Sequence, residues 1–328
     1  MKSRYLRAIA IVFALIFLIT SALFLVKLWE RKNGEFPAFH PENSTLEYEG
    51  EKYVRRDRIE TFLVLGLDKY EDAISAESHE SGVQTDFLML FVFDNEAKQC
   101  TAVHINRDTM TRVNRLSVGG TSVVDTYTKQ IALAYNYANV ANDKICCGNT
   151  RDSVEYLLKN VKVDHYMSMT MEAVSILTDL VGGVEVEIKD DFTGVDDTLI
   201  MGETVTLNGE AALRYVRARG GLIDSSNIAR MGRQRQYVCA LYDKAVSCME
   251  ADDQFILKLV DKLGEHIVYD SSSQRMQSFA EKFGEYEFLG IREIDGEAKT
   301  GEEYMEFYPD EDAITKLVVE LFYTPKEK

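Results

Sequence analysis

The chain has 328 residues, 46% of them hydrophobic, five cysteines and a net charge of −17. That length and composition support one folded core of roughly 200–250 residues with appendages, which excludes a mainly disordered chain. The acidic balance excludes a general nucleic-acid binder, whose surface must be basic to displace counterions, so any anion site has to be local.

Residues 8–26, AIAIVFALIFLITSALFLV, run for 19 positions without a charge. At about 1.5 Å per residue this matches the hydrocarbon thickness of a bilayer. The rival, a cleaved signal peptide, has a shorter apolar region of about 7–15 residues and a small-residue cleavage site that is not evident here, so an uncleaved transmembrane anchor is expected. Lys2, Arg4 and Arg7 precede the span; Lys27, Arg31 and Lys32 follow it, with Glu30 among them. The expectation is a cytoplasmic tail at 1–7, a single-pass anchor in the cell membrane, and an extracytoplasmic remainder. The five cysteines could then oxidise, their odd number leaving at least one unpaired, although adjacent Cys146 and Cys147 lack the spacing of a redox or zinc motif. Residues 27–58, charged and broken by Pro37 and Pro41, read as a spacer.

Three apolar runs follow. FLVLGL at 62–67 is succeeded by Asp68, FLMLFVF at 87–93 is preceded by Asp86, and TAVHI at 101–105 leads into Asn106, Arg107, Asp108 and Thr109. Such runs suit strands buried on both faces, and aspartate is poorly suited to a strand. If the three strands are neighbours running up, down and up, Asp68, Asp86, Arg107 and Asp108 share one edge of the sheet. Carboxylates gathered with few other ligands suit a hard cation such as Mg²⁺, with Mn²⁺ as a substitute.

Segments 125–139, 150–160 and 170–181 read as helical or mixed, the last stopped by Gly182 and Gly183, with a strand at 184–188. Strands interleaved with helices predict an α/β fold, an α-β-α sandwich with a central mixed sheet, over residues 59–250. Residues 251–328, ending in the helical run DAITKLVVELFY, are expected to form an extension packed on or beside that core.

Arg214, Arg217, Arg219, Arg230, Arg233 and Arg235 make up six of the chain's 18 arginines, and no lysine occurs from 190 to 243. Arginine presents a planar fork of donors that grips phosphate oxygens in pairs, where lysine offers a mobile point charge. A helix over 207–216 capped by Asn208, then extended chain, would put Arg217 and Arg219 on one side. A second helix from Ser226 has Ile228, Met231, Val238, Leu241, Ala245 and Cys248 on its apolar stripe, with Arg230, Gln234 and Tyr237 off it. Arg235 is expected on the solvent side.

The motifs QTDFLML, INRDT, LVGGVEVEI, LNGEAALRYVRAR and ARMGRQRQ, in this order after a single anchor, resemble the LytR-CpsA-Psr family of cell-wall glycopolymer ligases over roughly residues 60–245. The resemblance implies a Mg²⁺-dependent phosphotransferase. It would move the phosphoglycosyl end of a polyprenyl-pyrophosphate-linked glycopolymer, such as teichoic acid or capsular polysaccharide, onto a peptidoglycan hydroxyl. Residue by residue, it implies Asp68 and Asp86 at the metal, the pair Arg107 and Asp108 beside it, and Arg217, Arg219, Arg230 and Gln234, with Arg107, at the pyrophosphate. The chain departs from the family pattern at Gln84, where arginine is usual, at Asn106 in place of proline, and at Asn227, where aspartate is common. Gln84 removes a positive charge from the expected site.

Such chemistry mainly requires a pyrophosphate to be positioned and its developing charge neutralised. A base for the acceptor hydroxyl would help, and Asp108 or Asp86 is the candidate. No G-x-S-x-G, Walker A or H-E-x-x-H motif is present, and the five histidines are scattered, His104 reading as a strand residue. Two alternatives remain open: a pyrophosphatase that releases the polymer to water, and a non-catalytic wall-associated protein that binds a polyprenyl lipid.

Overall fold

The computed structural model describes residues 45–68, 82–302 and 304–326. The expected anchor at 8–26 lies outside them, and among the described residues no helix is long and apolar enough to cross a membrane. The chain enters through a hairpin of β1 (Thr45–Tyr48) and β2 (Glu51–Arg55), within the expected spacer. The three apolar runs become β3 (Ile59–Leu67), β4 (Thr85–Asp94) and β5 (Gln99–Ile105), consecutive antiparallel neighbours as the pattern predicted. Arg107 and Asp108 turn the chain into a hairpin of β6 (Met110–Leu116) and β7 (Val123–Gln130).

A short helix α1 (Ala134–Tyr137), the longer α2 (Asp143–Leu157) and β8 (His165–Met169) come next. α3 (Met171–Leu180), the hairpin of β9 (Val184–Glu187) with β10 (Thr204–Leu207), α4 (Gly209–Arg217) and the 25-residue α5 (Asn227–Ala251) follow. After α6 (Phe255–Leu263) come β11 (Ile267–Tyr269), α7 (Ser273–Glu285) and β12 (Glu287–Glu293). A hairpin of β13 (Gly296–Thr300) and β14 (Met305–Pro309), α8 (Glu311–Phe322) and β15 (Tyr323–Pro325) complete the order.

The central sheet is mixed, with strand order β11-β8-β3-β4-β5-β12. β3 lies parallel to β8, and β5 parallel to β12. Because side chains alternate along a strand, Leu63, Leu65, Leu88, Leu90 and Val103 enter the core beneath α2 and α8, while Phe62, Val64, Met89, Phe91 and Phe93 enter the core on the opposite face, with Phe279 of α7. Both faces are apolar, which is why these runs show no polar alternation. A further cluster joins the β9–β10 hairpin, α4 and α5 through Val184, Val186, Tyr215 and Tyr237.

Three expectations change. The stretch 125–139, read as helical or mixed, begins inside strand β7, a largely exposed arm held by its pairing with β6, before the chain turns helical. The strand at 184–188 pairs with β10 outside the central sheet. Residues past 250, expected to pack on or beside the core, supply both edge strands of the central sheet, β11 and β12, and β15 closes onto β2. The five cysteines are free thiols; burial pushes those of Cys100 and Cys147 up to about 12.

Candidate active site

An aspartate can open a strand as apolar as β4 because the ladder between β3 and β4 slips there. Gly66 faces Phe87 and Leu67 faces Thr85, so Asp86 is the extra residue of a β-bulge. A bulge leaves one residue unpaired and re-aims its side chain. Gly66 is required opposite it, since a Cβ there would stand 2.9 Å from the Cβ of Phe87. The ladder resumes beyond, with the Asp68 N–H donating to Gln84 O at 2.9 Å.

Asp86 lies between two guanidinium groups. Arg107 Nη1 donates to its Oδ1, and Arg230 Nη1 to its Oδ2 at 2.9 Å. Arg107 Nη2 donates to Gln84 Oε1, so the glutamine that removes a charge from the family pattern still fixes the arginine beside it. The Nε–H groups of Arg107 and Arg230 are buried without a hydrogen-bond acceptor among the described residues, and Gln234 Oε1 is buried without a donor. Burial, reinforced for Arg107 by Arg230 and for Arg230 by Arg219, brings both guanidinium pKa values down to about 10, still well above neutrality.

Asp108, on the turn after β5, accepts from Gln130 Nε2 at 3.1 Å and lies 3.6 Å from Arg107 Nε. Burial raises its carboxyl pKa, against the opposing pull of Arg107, Arg219 and Arg230. Gln130 Nε2 also reaches Met305 O at 2.6 Å, and the Phe307 N–H donates to Asp108 O at 2.9 Å, so the β13–β14 hairpin braces this turn.

α4 starts at Gly209 because a Cβ there would lie 2.3 Å from Ser175 O of α3. The Asn208 side chain caps it by accepting from Ala211 N at 2.9 Å. Arg217 is its last helical residue, half-exposed, with Nη2 at 4.0 Å from Asp68 Oδ1. The helix thus runs one residue past the expected 216, taking in Arg217; Ala218 is extended, and exposed Arg219 follows, with Nε at 3.5 Å from Ser225 O. The Ser226 hydroxyl caps α5 by accepting from Ala229 N at 3.1 Å.

α5 keeps the predicted stripe over most of its length: Met231 is buried and Val238, Leu241, Ala245 and Cys248 pack against the apolar cluster, whereas Ile228 is 54% exposed. Arg230, Gln234 and Tyr237, off that stripe, are buried as well: Arg230 meets Asp86 at the β4 bulge, Gln234 Nε2 donates to Val216 O of α4 at 3.3 Å, and the Tyr237 hydroxyl lies 2.7 Å from that of Thr178 on α3. Arg235 also departs from expectation: it is half-buried and ion-paired with Glu293 of β12.

Behind the arginines lies an apolar cavity of about 290 Å³ between the sheet and α3, α5 and α7. Phe62, Val64, Phe91, Met169, Val238 and Phe279 are among its walls, and Asp86, Arg217, Arg230 and Gln234 border it. All eight residues singled out from the sequence thus fall at one edge of the sheet: Asp86, Arg107, Asp108, Arg230 and Gln234 within the buried part, and Asp68, Arg217 and Arg219 at its more exposed rim.

The profile of the LytR_cpsA_psr family matches residues 38–321. The chain belongs to this family. Among its relatives, the polyisoprenyl-teichoic acid–peptidoglycan teichoic acid transferase TagU of Enterococcus faecalis is 27% identical over 286 residues, 83% of this chain and 84% of that protein. The cell wall biosynthesis protein LcpA of Corynebacterium glutamicum is 26% identical over 257 residues, 72% of this chain; the match spans about half, 48%, of LcpA's length. In fold, the chain resembles TagT bound to LI-WTA, with a TM-score of 0.60 and 19% identity over 81% of this chain and 90% of that one. It also resembles Bacillus subtilis TagV, with a TM-score of 0.57 and 21% identity over 81% and 96%.

Within this LytR_cpsA_psr site, sequence reasoning did not find Gln130, which falls in a stretch read as helical or mixed, or the partnership of Asn106 with Asn227. Both asparagines stood out only as departures from the family pattern. Nothing in the local sequence connects residues 121 positions apart.

Proposed function

We propose that this chain is a phosphotransferase that moves the phosphoglycosyl end of a polyprenyl-pyrophosphate-linked glycopolymer, a teichoic acid or a capsular or wall polysaccharide, to a peptidoglycan hydroxyl. The observation that carries this reading is the apolar cavity bordered by arginines: one molecule with a hydrocarbon tail and a pyrophosphate head suits both parts. The names of the TagU and TagV relatives, teichoic acid–peptidoglycan transferases, support the same class of substrate and acceptor, and that of LcpA supports a role in cell wall biosynthesis. On this reading residues 8–26 anchor the chain in the cell membrane, with the site on the outer side.

Arg107, Arg217, Arg219 and Arg230 would receive the pyrophosphate, and the two buried Nε–H groups without acceptors are donors available to its oxygens. Gln234 borders the same space. Of the two carboxylates considered as base, Asp108 is the better suited. Both oxygens of Asp86 already accept from guanidinium groups, whereas burial raises the pKa of Asp108. The acceptor oxygen bonds to the sugar-bearing phosphorus as its proton passes to Asp108. The bridging P–O bond breaks, its electron pair leaving on polyprenyl monophosphate.

Asp68, half-exposed, and Asp86, whose oxygens each keep a lone pair beyond the arginine contacts, have the hard-oxygen chemistry that fits Mg²⁺ or Mn²⁺. Among the described residues no group of three or more metal-ligating side chains occurs, so phosphate oxygens and water would complete the shell. Such an ion would supply positive charge to the pyrophosphate as the bridging bond breaks.

The test uses purified chain with a polyprenyl-pyrophosphate donor, peptidoglycan and Mg²⁺, with and without chelator. A polymer–peptidoglycan conjugate formed in step with polyprenyl monophosphate supports the transferase. Monophosphate release without conjugate would identify a pyrophosphatase, bound lipid without turnover a binding protein. Undiminished turnover in excess chelator would remove the metal.

A further inference from the structure

Asn106 and Asn227 come from distant parts of the chain and join across the edge of the site. Asn227 Nδ2 donates to Asn106 Oδ1 at 2.7 Å, and that oxygen also accepts the Asp108 backbone N–H at 2.9 Å. At its other end, Asn227 Oδ1 accepts from Arg230 Nη2 at 2.6 Å. Asn227 itself is buried, 7% exposed.

The outer members of this relay, a backbone N–H and a guanidinium, can only donate. Asn106 must therefore turn its oxygen toward Asp108. Asn227 must then offer its nitrogen to that oxygen and its own oxygen to Arg230. Position 106 needs only an acceptor. Position 227 needs an acceptor at one end and a donor at the other, which an amide supplies and a carboxylate of the same shape does not.

We infer that Asn227, acting through Asn106, is a positioning residue that ties Arg230 on α5 to the Arg107–Asp108 turn. The arginine that meets the pyrophosphate and the carboxylate that takes the acceptor proton are thereby held at a fixed spacing. The catalytic part of this inference rests on the transferase reading; the relay itself does not.

The same chemical change at the two ends therefore has different outcomes. Asn106→Asp keeps an acceptor for both donors. Asn227→Asp sets a carboxylate oxygen against Asn106 Oδ1, and if Asn106 flips to relieve this, it loses the Asp108 N–H. The experiment measures amide hydrogen exchange at Asp108 by mass spectrometry with residue-level fragmentation, on the full chain in detergent, for wild type, Asn106→Asp, Asn106→Ala, Asn227→Asp and the Asn106→Ala/Asn227→Asp pair. Asn227→Asp should speed exchange at Asp108 about tenfold, Asn106→Asp should leave it near wild type, and the pair should be no worse than Asn106→Ala alone. Turnover of Asn227→Asp should fall about tenfold with the donor KM within about twofold, a split that general loosening of the fold would not give. Equal exchange in Asn106→Asp and Asn227→Asp, or additive effects in the pair, would overturn the relay. A wild-type chain without transfer activity would refute the transferase reading, and the exchange comparison would still decide the relay.

Discussion

Arg230 and Arg233 stand one helical turn apart on α5 and are almost equally buried, 4% and 3% exposed, yet their partners set them to different tasks. Arg233 donates through Nε to Tyr215 O at 3.1 Å and through Nη2 to Ala218 O, and pairs with Asp190. It thereby ties the end of α4, where Arg217 sits, to α5. Arg230 instead spends its terminal nitrogens on Asp86 and Asn227, and its buried Nε–H has no acceptor among the described residues. Two arginines one turn apart are thus divided between a strut, which bonds the carbonyls at the end of α4, and a group proposed to meet the ligand, which bonds Asp86 beside the apolar cavity. Burial alone would not separate them.

The sharpest way to break this contrast is to remove each in turn. Arg230→Ala should lower turnover about 10²–10³-fold while Asp86 keeps its contact with Arg107. Arg233→Ala should instead cost about 3 kcal/mol of stability, since two carbonyls and a carboxylate lose a charged donor, with turnover per folded molecule within a few-fold of wild type. Product formation beside urea unfolding measures both, and matching profiles would end the distinction. Arg217, half-exposed at the rim, extends the contrast to side-chain chemistry. Arg217→Lys should be nearly as damaging to turnover as Arg217→Ala, about 2–4 kcal/mol in transition-state stabilisation, with little change in melting temperature. Arg235→Lys, which keeps its ion pair with Glu293, should change stability by less than about 1 kcal/mol and leave turnover intact.

The same logic reaches the carboxylate side. Gln130→Leu removes the donor shared by Asp108 and Met305 O and should slow turnover about tenfold, chiefly in kcat. The smallest effect concerns pH. Because burial raises the Asp108 pKa above its unfolded value, its ionisation disfavours the folded state as pH rises through that range. Asp108→Asn should therefore melt slightly above wild type at neutral pH, and the gap should close in acid, where both states are protonated. A gap that widens in acid would mean that Arg107 outweighs burial at this carboxylate.

Much of the site was legible from strand arithmetic. Three apolar runs too short for helices, with charged residues at matching ends, place Asp68, Asp86 and Asp108 at one edge if neighbouring strands alternate, and they do. The caps at Asn208 and Ser226 were equally local. The burial of the polar face of α5 was not. Arg230, Gln234 and Tyr237 are buried because the β4 bulge, α4 and α3 supply a carboxylate, a carbonyl and a hydroxyl, and those partners lie 18 to 144 positions away in sequence. Gln130 was hidden for a related reason. Its strand is a largely exposed hairpin arm and carries little of the apolar signal that marks the central strands.

The brace on Asp108 bears on the order in which the molecule becomes competent. Gln130 reaches Met305, Phe307 donates to Asp108, and β15 pairs with β2 only after every arginine of the site has been synthesised. A nascent chain emerging from its N-terminus could therefore hold all eight proposed site residues and still lack the support that fixes one of them. The support of Asp108 thus depends on the part of the chain made last, so possession of the reactive groups precedes their final alignment.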